Sequence, residues 1–582
     1  MRIRHLVTAL LLILVLAACG VKTFPSGKSD TGFAEFTEEI FRSQSSSDSL
    51  TLNYTLAHPE NYGITSLPKG FSSFSYEDLI QEGLNLENLL ASLQQFDKDS
   101  LSFKEQVLYD TLQDKLESGI QGQNYVAFSE ALGPTTGIQA QLPVLLAEFS
   151  IKDKTDLSQY FSLLQTVPDY FDSLLSLEEK KSQWQTLPCR TTLDNIIAQC
   201  ETFLAGSGAS ILEETFQKKA SDFSFLEETE KQEAISRNHS CVEEYIIPAY
   251  QSLTDGLKQL IPMAGEEGSL SQYPNGRAYY QYLVGDVTGS SLSVPELRTL
   301  MTEQLETSQN TLIAYAKKDP SLFSSCQSYV TKYSAPDTIL ATLEKRMTED
   351  FPLLPADSQY EVKYVDEALE DYLSPAFYLT PPVDDSENNV IYINNSDKYD
   401  RSSLFNTLAH EGYPGHLYQT CYMHSKQLPL LRYALDYGGY TEGWATYAEI
   451  YSYKYTGISK DEVGILRNNM IATLCLYGLC DIGVHYDNWD EEKLQTFLNQ
   501  YGSWSSGTAA AVYSAVVDEP ASYLKYTVGY LEFARLKEKM KEELGSTYSE
   551  KLFHTFALDM GPASFDILAR YLPLWSAQNG CK

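Results

Sequence analysis

Two histidines, His410 and His416, and three glutamates, Glu411, Glu442 and Glu449, fall within 40 residues of one another in this chain. Each is a group that binds divalent cations or moves protons, so any fold the sequence adopts must accommodate five such side chains close together in the chain. Histidine is otherwise scarce. The 582 residues hold eight, and His410, His416, His424 and His485 all lie between 410 and 485. An unrelated scatter of histidines would not readily cluster in this way, and a divalent metal site is the economical reading.

The spacing is unusual. In a zincin, H-E-x-x-H sets two imidazoles one turn apart on one helix face, with the intervening Glu reaching the water at the metal. Here the second histidine comes six residues after the first. On an ideal helix that is about 600° of rotation, which leaves His416 roughly 120° from the face of His410. Pro414 has no N–H for the carbonyl of His410, and Gly412 and Gly415 tolerate unusual dihedrals. The pattern predicts a two-residue bulge that returns His416 to the place a +4 histidine holds. Glu442 and Glu449 are seven apart, about 700°, and share one helix face. Alone, such a pair reads as a solvated face. Beside His410-Glu411, Glu442 reads as the third ligand, 32 residues after His410, and Glu449 as the carboxylate that holds a ligand histidine by hydrogen bond.

The first residues, Met1-Arg2-Ile3-Arg4-His5, then an apolar run to Leu16, then Ala17-Ala18-Cys19, have the layout of a bacterial signal peptide over 1–18. The ending resembles a lipobox, which implies a lipid thioether on Cys19 and an extracytoplasmic, lipid-anchored protein. An ordinary cleaved secretory signal is the alternative. Residues 19–48, polar from Ser43 to Ser49, read as a tether. No other stretch is expected to be long and apolar enough to cross a membrane. Loss of Arg2 and Arg4 moves the formal charge from −35 to −37, which makes nucleic acid an unsuitable partner. Eight cysteines follow Cys19, without a C-x-x-C pair, so they do not read as a zinc ribbon; Cys189 and Cys200 are spaced to close a short loop.

Helical signals dominate the rest. Ser293-Val-Pro-Glu296 and Ser459-Lys-Asp-Glu462 are capping-box starts, and a further helix is expected from about Pro520 to Glu543, stopping at Gly545. Strand character is confined to Ala376-Phe-Tyr-Leu-Thr-Pro-Pro and Val390-Ile-Tyr-Ile-Asn394, joined by an Asp/Asn-rich turn. Such a hairpin beside a metal helix is placed to hold extended substrate by strand addition, through Phe377, Tyr378 and Tyr392; an edge hairpin without that role is the alternative. Glycines and Pro274 interrupt the helical pattern between about 270 and 290, which divides an N-terminal helical lobe, 49–280, from a catalytic one, 281–582.

His410-Glu-Gly-Tyr-Pro-Gly-His416, Glu442-Gly-Trp-Ala-Thr-Tyr-Ala-Glu449, Asp481-Ile-Gly-Val-His485, Tyr523-Leu-Lys-Tyr526-Thr-Val-Gly529-Tyr530 and Tyr273-Pro-Asn-Gly-Arg-Ala-Tyr279-Tyr280 resemble the signature blocks of the bacterial family catalogued as domain of unknown function 885. The resemblance implies a mainly α, two-lobed, zincin-like metallopeptidase of the gluzincin kind, near the helical oligopeptidases and the angiotensin-converting-enzyme group, with many lipoprotein members. It implies one zinc ion on His410, His416 and Glu442, Glu411 as general base, and a peptide substrate. Because related peptidases use a His and Tyr pair from a downstream helix, His485, Tyr523, Tyr526 and Tyr530 are the candidate oxyanion donors. A catalytically degenerate peptide- or solute-binding lipoprotein and a purely structural metal site are the competing readings. A serine or cysteine nucleophile has no G-x-S-x-G or oriented triad to support it, and a glycosidase reading leaves the histidines unexplained.

Overall fold

The computed structural model describes residues 30–581 except 267, 327, 331–332, 355–357, 366–369, 371–372, 398 and 400. Cys19 and the signal-like segment lie outside them. The chain is mainly helical, with one small three-stranded sheet.

Helix α1, Asp30–Ser45, occupies the segment expected to be a tether. Phe33, Phe36, Ile40 and Phe41 form an apolar stripe at helical spacing and are buried against Leu86, Leu89, Leu108 and Leu112 and against Leu431 and Leu435. The serine-rich stretch that read as linker is the end of this helix and the start of the next, Ser49–Thr55, where the Asp48 carboxylate accepts the Thr51 N–H at 2.9 Å. The long helix α2, Lys154–Trp184, buries Tyr160, Phe161, Leu164, Val167, Phe171 and Leu174 in a second apolar cluster built largely from residues before 261. Helix α3, Gly276–Thr288, runs through the glycine-interrupted region read as a boundary and ends at Gly289, whose φ of 65° suits glycine. Helix α4, Val294–Lys318, starts at the anticipated capping box, with the Ser293 N–H donating to Glu296 at 2.8 Å.

The sheet comprises β1 (Tyr360–Tyr364), β2 (Ala376–Leu379) and β3 (Asn389–Ile393) in the order β1-β3-β2. β2 and β3 form the expected antiparallel pair, Phe377 opposite Tyr392, while β1 adds in parallel and was not anticipated. Alternation sends Ala376, Tyr378, Ile391 and Ile393 into the largest apolar cluster and Phe377 into the second, so the sheet lies between the two.

Six further helices build the largest cluster: α5 (Leu404–Glu411), α6 (His416–Ser425), α7 (Gly438–Ser452), α8 (Lys460–Asp487), α9 (Ser522–Leu544) and α10 (Glu550–Met560). α8 begins at the predicted box and α9 stops at Gly545, as the sequence indicates. Contrary to expectation, α8 is, by length and composition, long and apolar enough to cross a membrane. Ile465, Ile471, Cys475, Leu479 and Ile482 are nevertheless buried in the protein core. All eight described cysteines are free thiols, Cys189 and Cys200 included.

Candidate metal centre

α5 ends at Gly412, which has φ −105° and ψ −104° and donates its N–H to the Leu408 carbonyl. The Tyr413–Pro414 peptide is cis, and α6 restarts at His416. The two extra residues are therefore not a bulge inside one helix, as predicted, but part of a full break between two. A proline with no N–H and a glycine beside it favour ending the helix over distorting it. Gly415 passes so close to α5 that a Cβ there would stand 1.8 Å from the His410 carbonyl oxygen. The indole N–H of Trp444, on α7, donates to the Pro414 carbonyl at 3.1 Å and fastens the break to the next helix. The result sets the His410 and His416 rings 4.7 Å apart and nearly perpendicular, at 84°.

α7 supplies the carboxylates. One oxygen of Glu442 lies 3.4 Å from Nε2 of His410 and 3.4 Å from Nε2 of His416. Ligands held about 2.0–2.1 Å from a tetrahedral zinc ion stand roughly 3.3–3.4 Å from one another. Both approaches of the Glu442 oxygen to the imidazoles thus have the separation of two corners of such a site, and the donor set of two imidazoles and a carboxylate fits zinc. On the far side of the ring, Nδ1 of His410 is 3.2 Å from Glu449, one face and two turns along α7 from Glu442. Burial acts to lower the His410 pKa, but Glu442, Glu449 and Glu411 outweigh it and lift the imidazole to about 10. Such surplus negative charge is what a dication would neutralise. Glu411 accepts the Tyr378 backbone N–H at 2.9 Å, and its carboxylate and the two imidazoles offer donor atoms all within 4.8 Å of one another. Glu213, His239 and Glu243 form another such group, but on the surface.

Glycines bring α9 to this cluster. A Cβ on Gly443 would lie 2.5 Å from Gly529, and one on Gly529 would lie 2.1 Å from the Gly439 carbonyl oxygen, so α7 and α9 cross backbone to backbone. Tyr526, one turn before Gly529, consequently has its ring 6.3 Å from that of His410. The other two candidate tyrosines have different surroundings. Tyr523 packs on Tyr477 at 5.1 Å, and Tyr530 is buried, its hydroxyl pushed up to about 12 by burial.

His485 does not serve as the expected oxyanion donor. It is fully buried; its Nδ1 accepts the Leu270 N–H at 3.3 Å, and its Nε2, 2.8 Å from the Val516 carbonyl, donates there. Both nitrogens are engaged in the core, and burial pushes the imidazole down to about 4. His424 lies against Tyr433. The side chains of Phe377, Tyr378 and Tyr392 also differ from expectation. Phe377 stacks on Tyr392 at 5.0 Å, whose hydroxyl donates to Glu148, and the buried Tyr378 hydroxyl donates to Asn389 at 2.6 Å. What β2 offers the cluster is its backbone: Tyr378 lies on the edge strand, with its N–H turned to Glu411. Trp444 was missed as a positioning residue, although it sits inside the Glu442 block.

The class defined by this architecture is a mainly helical protein with a small mixed sheet and a buried His/Glu cluster at a broken helix. The chain belongs to the family described as bacterial protein of unknown function (DUF885), whose profile matches residues 69–572. No curated protein matches it. Two solved structures share the fold. One, described as the “putative lipoprotein” from Colwellia psychrerythraea, has a TM-score of 0.81 at 19% identity, covering 94% of this chain and 99% of that one. The other, described as a “putative lipoprotein of unknown function” from Shewanella oneidensis, has a TM-score of 0.67 at 15% identity, covering 94% and 100%.

Proposed function

We propose that this chain is a zinc-dependent peptidase, held at the outer face of a bacterial membrane by a lipid on Cys19. The observation that carries the reading is the equal 3.4 Å approach of the His410 and His416 Nε2 atoms to one Glu442 oxygen, with Glu411 alongside. A bound zinc ion supplies a Lewis acid that lowers the pKa of water toward ~7. Glu411 accepts the proton of the attacking water and returns it to the leaving amine. Glu449 fixes the ring orientation of His410, and the edge of β2 next to Glu411 pairs with an extended peptide. Tyr526, whose ring lies 6.3 Å from that of His410, would donate to a developing oxyanion, a contribution of about 3 kcal/mol where such donors have been removed. The lipid anchor is supported by the Leu16-Ala17-Ala18-Cys19 ending and by the descriptions of the two similar structures.

The test is digestion of a peptide library by wild type and Glu411→Gln, read by mass spectrometry, with zinc measured in protein purified without chelator. About one equivalent of zinc, and cleavage that Glu411→Gln abolishes while retaining the metal, is the expected outcome. Protein with less than about a tenth of an equivalent of zinc, or cleavage indifferent to Glu411→Gln, would overturn it.

A further inference from the structure

We propose that Lys525 anchors the free C-terminal carboxylate of the peptide, so that this chain removes residues from the carboxyl end of its substrates. The inference rests on the peptidase reading above and specifies its substrate class.

Lys525 precedes Tyr526 on α9. Its ammonium lies 5.4 Å from the centroid of the Tyr526 ring, and that ring lies 6.3 Å from the His410 imidazole, so a positive charge stands one aromatic ring away from the cluster. Its stem runs beside Gly438 at the start of α7, where a Cβ would meet the Lys525 Cβ and Cδ at 3.6 and 3.7 Å. The side chain is partly buried, and no carboxylate among the described residues forms an ion pair with it. On the same helix Lys537 pairs with Glu550 at 2.6 Å and Lys541 with Glu538 at 2.5 Å, while Lys539 donates to the Ala569 carbonyl at 3.1 Å. A partly buried cation without an ion-pair partner among the described residues, one aromatic ring from a cluster whose glutamates would repel an incoming carboxylate, is suited to receive an anion from the substrate.

The span fits a short stretch of peptide. An extended chain advances about 3.3–3.6 Å per residue, and the breadth of the Tyr526 ring separates the cluster from Lys525, which is the reach of one or two residues. Hydrolysis then adds water across the peptide bond that precedes them. The water oxygen stays on the new carboxylate of the shortened peptide, the C–N bond breaks, and the proton carried by Glu411 leaves with the amine of the one- or two-residue product.

The experiment uses the zinc-loaded full chain and a fluorophore-labelled pentapeptide prepared as the free acid and as the C-terminal amide. Wild type is expected to cleave the acid with kcat/KM about tenfold or more above the amide, releasing one or two C-terminal residues. Lys525→Met should collapse that ratio toward one, mainly through KM, and Lys525→Arg should keep most of it. Fluorescence anisotropy with Glu411→Gln protein gives a readout without turnover, in which the acid binds more tightly than the amide and adding Lys525→Met removes the difference. Equal cleavage of acid and amide by wild type, or a preference that survives Lys525→Met, would sink the anchor and leave the peptidase reading standing. If neither peptide is cleaved or bound, both readings fall.

Discussion

Glu449 tests whether a carboxylate two helical turns from Glu442, the proposed ligand, is part of the proposed metal centre or merely its neighbour. It faces Nδ1 of His410 at 3.2 Å, so the side chain sets the ring's orientation and tautomer. Glu449→Gln keeps a carbonyl oxygen in place and removes the charge. It should weaken zinc binding by about 10- to 100-fold with the fold retained, measured by competition with a chelating dye beside a circular dichroism spectrum. Unchanged affinity would reduce Glu449 to a packing residue. The two glutamates were legible because a seven-residue interval nearly closes two helical turns, whatever surrounds the helix. His485 was taken as a donor candidate from the resemblance to peptidases with a downstream His and Tyr pair, and its place in the sequence carries no information about which side of α8 meets the core. Burial among Leu270, Tyr280 and Val516 is a tertiary fact.

At the level of elements, the break between α5 and α6 is exposed to a single methyl group. Gly415→Ala would place a Cβ 1.8 Å from a backbone oxygen of α5, so the backbone must shift and carry His416 with it. Zinc content should fall well below that of wild type, with thermal unfolding lowered by several degrees, an effect of about 1–3 kcal/mol for overpacking. Full zinc occupancy in Gly415→Ala would show that the tight approach does not govern the ligand geometry. Capping boxes at Ser293 and Ser459 announced their helices because the signal is local, a side chain answering N–H groups three residues away. β1 gave no such warning. Tyr-Glu-Val-Lys-Tyr is short and largely exposed, and it becomes a strand through its pairing with β3. Gly285 misled in the opposite direction, since packing overrides the modest helix penalty of one glycine.

Across the whole molecule, stability should depend on imidazoles that fold neutral. His554 is fully buried, donates from Nδ1 to the Asp350 carbonyl at 2.7 Å and accepts at Nε2 from the Tyr447 hydroxyl at 2.9 Å. Burial lowers it from 6.5 to about 3. Its contribution is complete above the unfolded value of 6.5 and is lost as pH falls toward 3, because the unfolded chain takes up a proton that the folded one refuses. Burial raises Asp481 to about 7 and Glu82 to about 8, and these act in the opposite sense, so the histidine is best read by difference. The gap in unfolding free energy between wild type and His554→Gln should narrow from pH 7.5 to pH 5 in urea titrations. A gap that holds constant or widens would contradict the neutral assignment.

The packing of α1 against the body changes what the leading segment can do. If Cys19 carries a lipid, only about ten residues separate that acyl anchor from a helix whose phenylalanines are locked beneath Leu431 and Leu435. Such a leash extends no more than about 35 Å, so the body would ride close above the bilayer, and the peptidase proposed above would graze on short peptides drifting through that thin layer, out of reach of anything farther off.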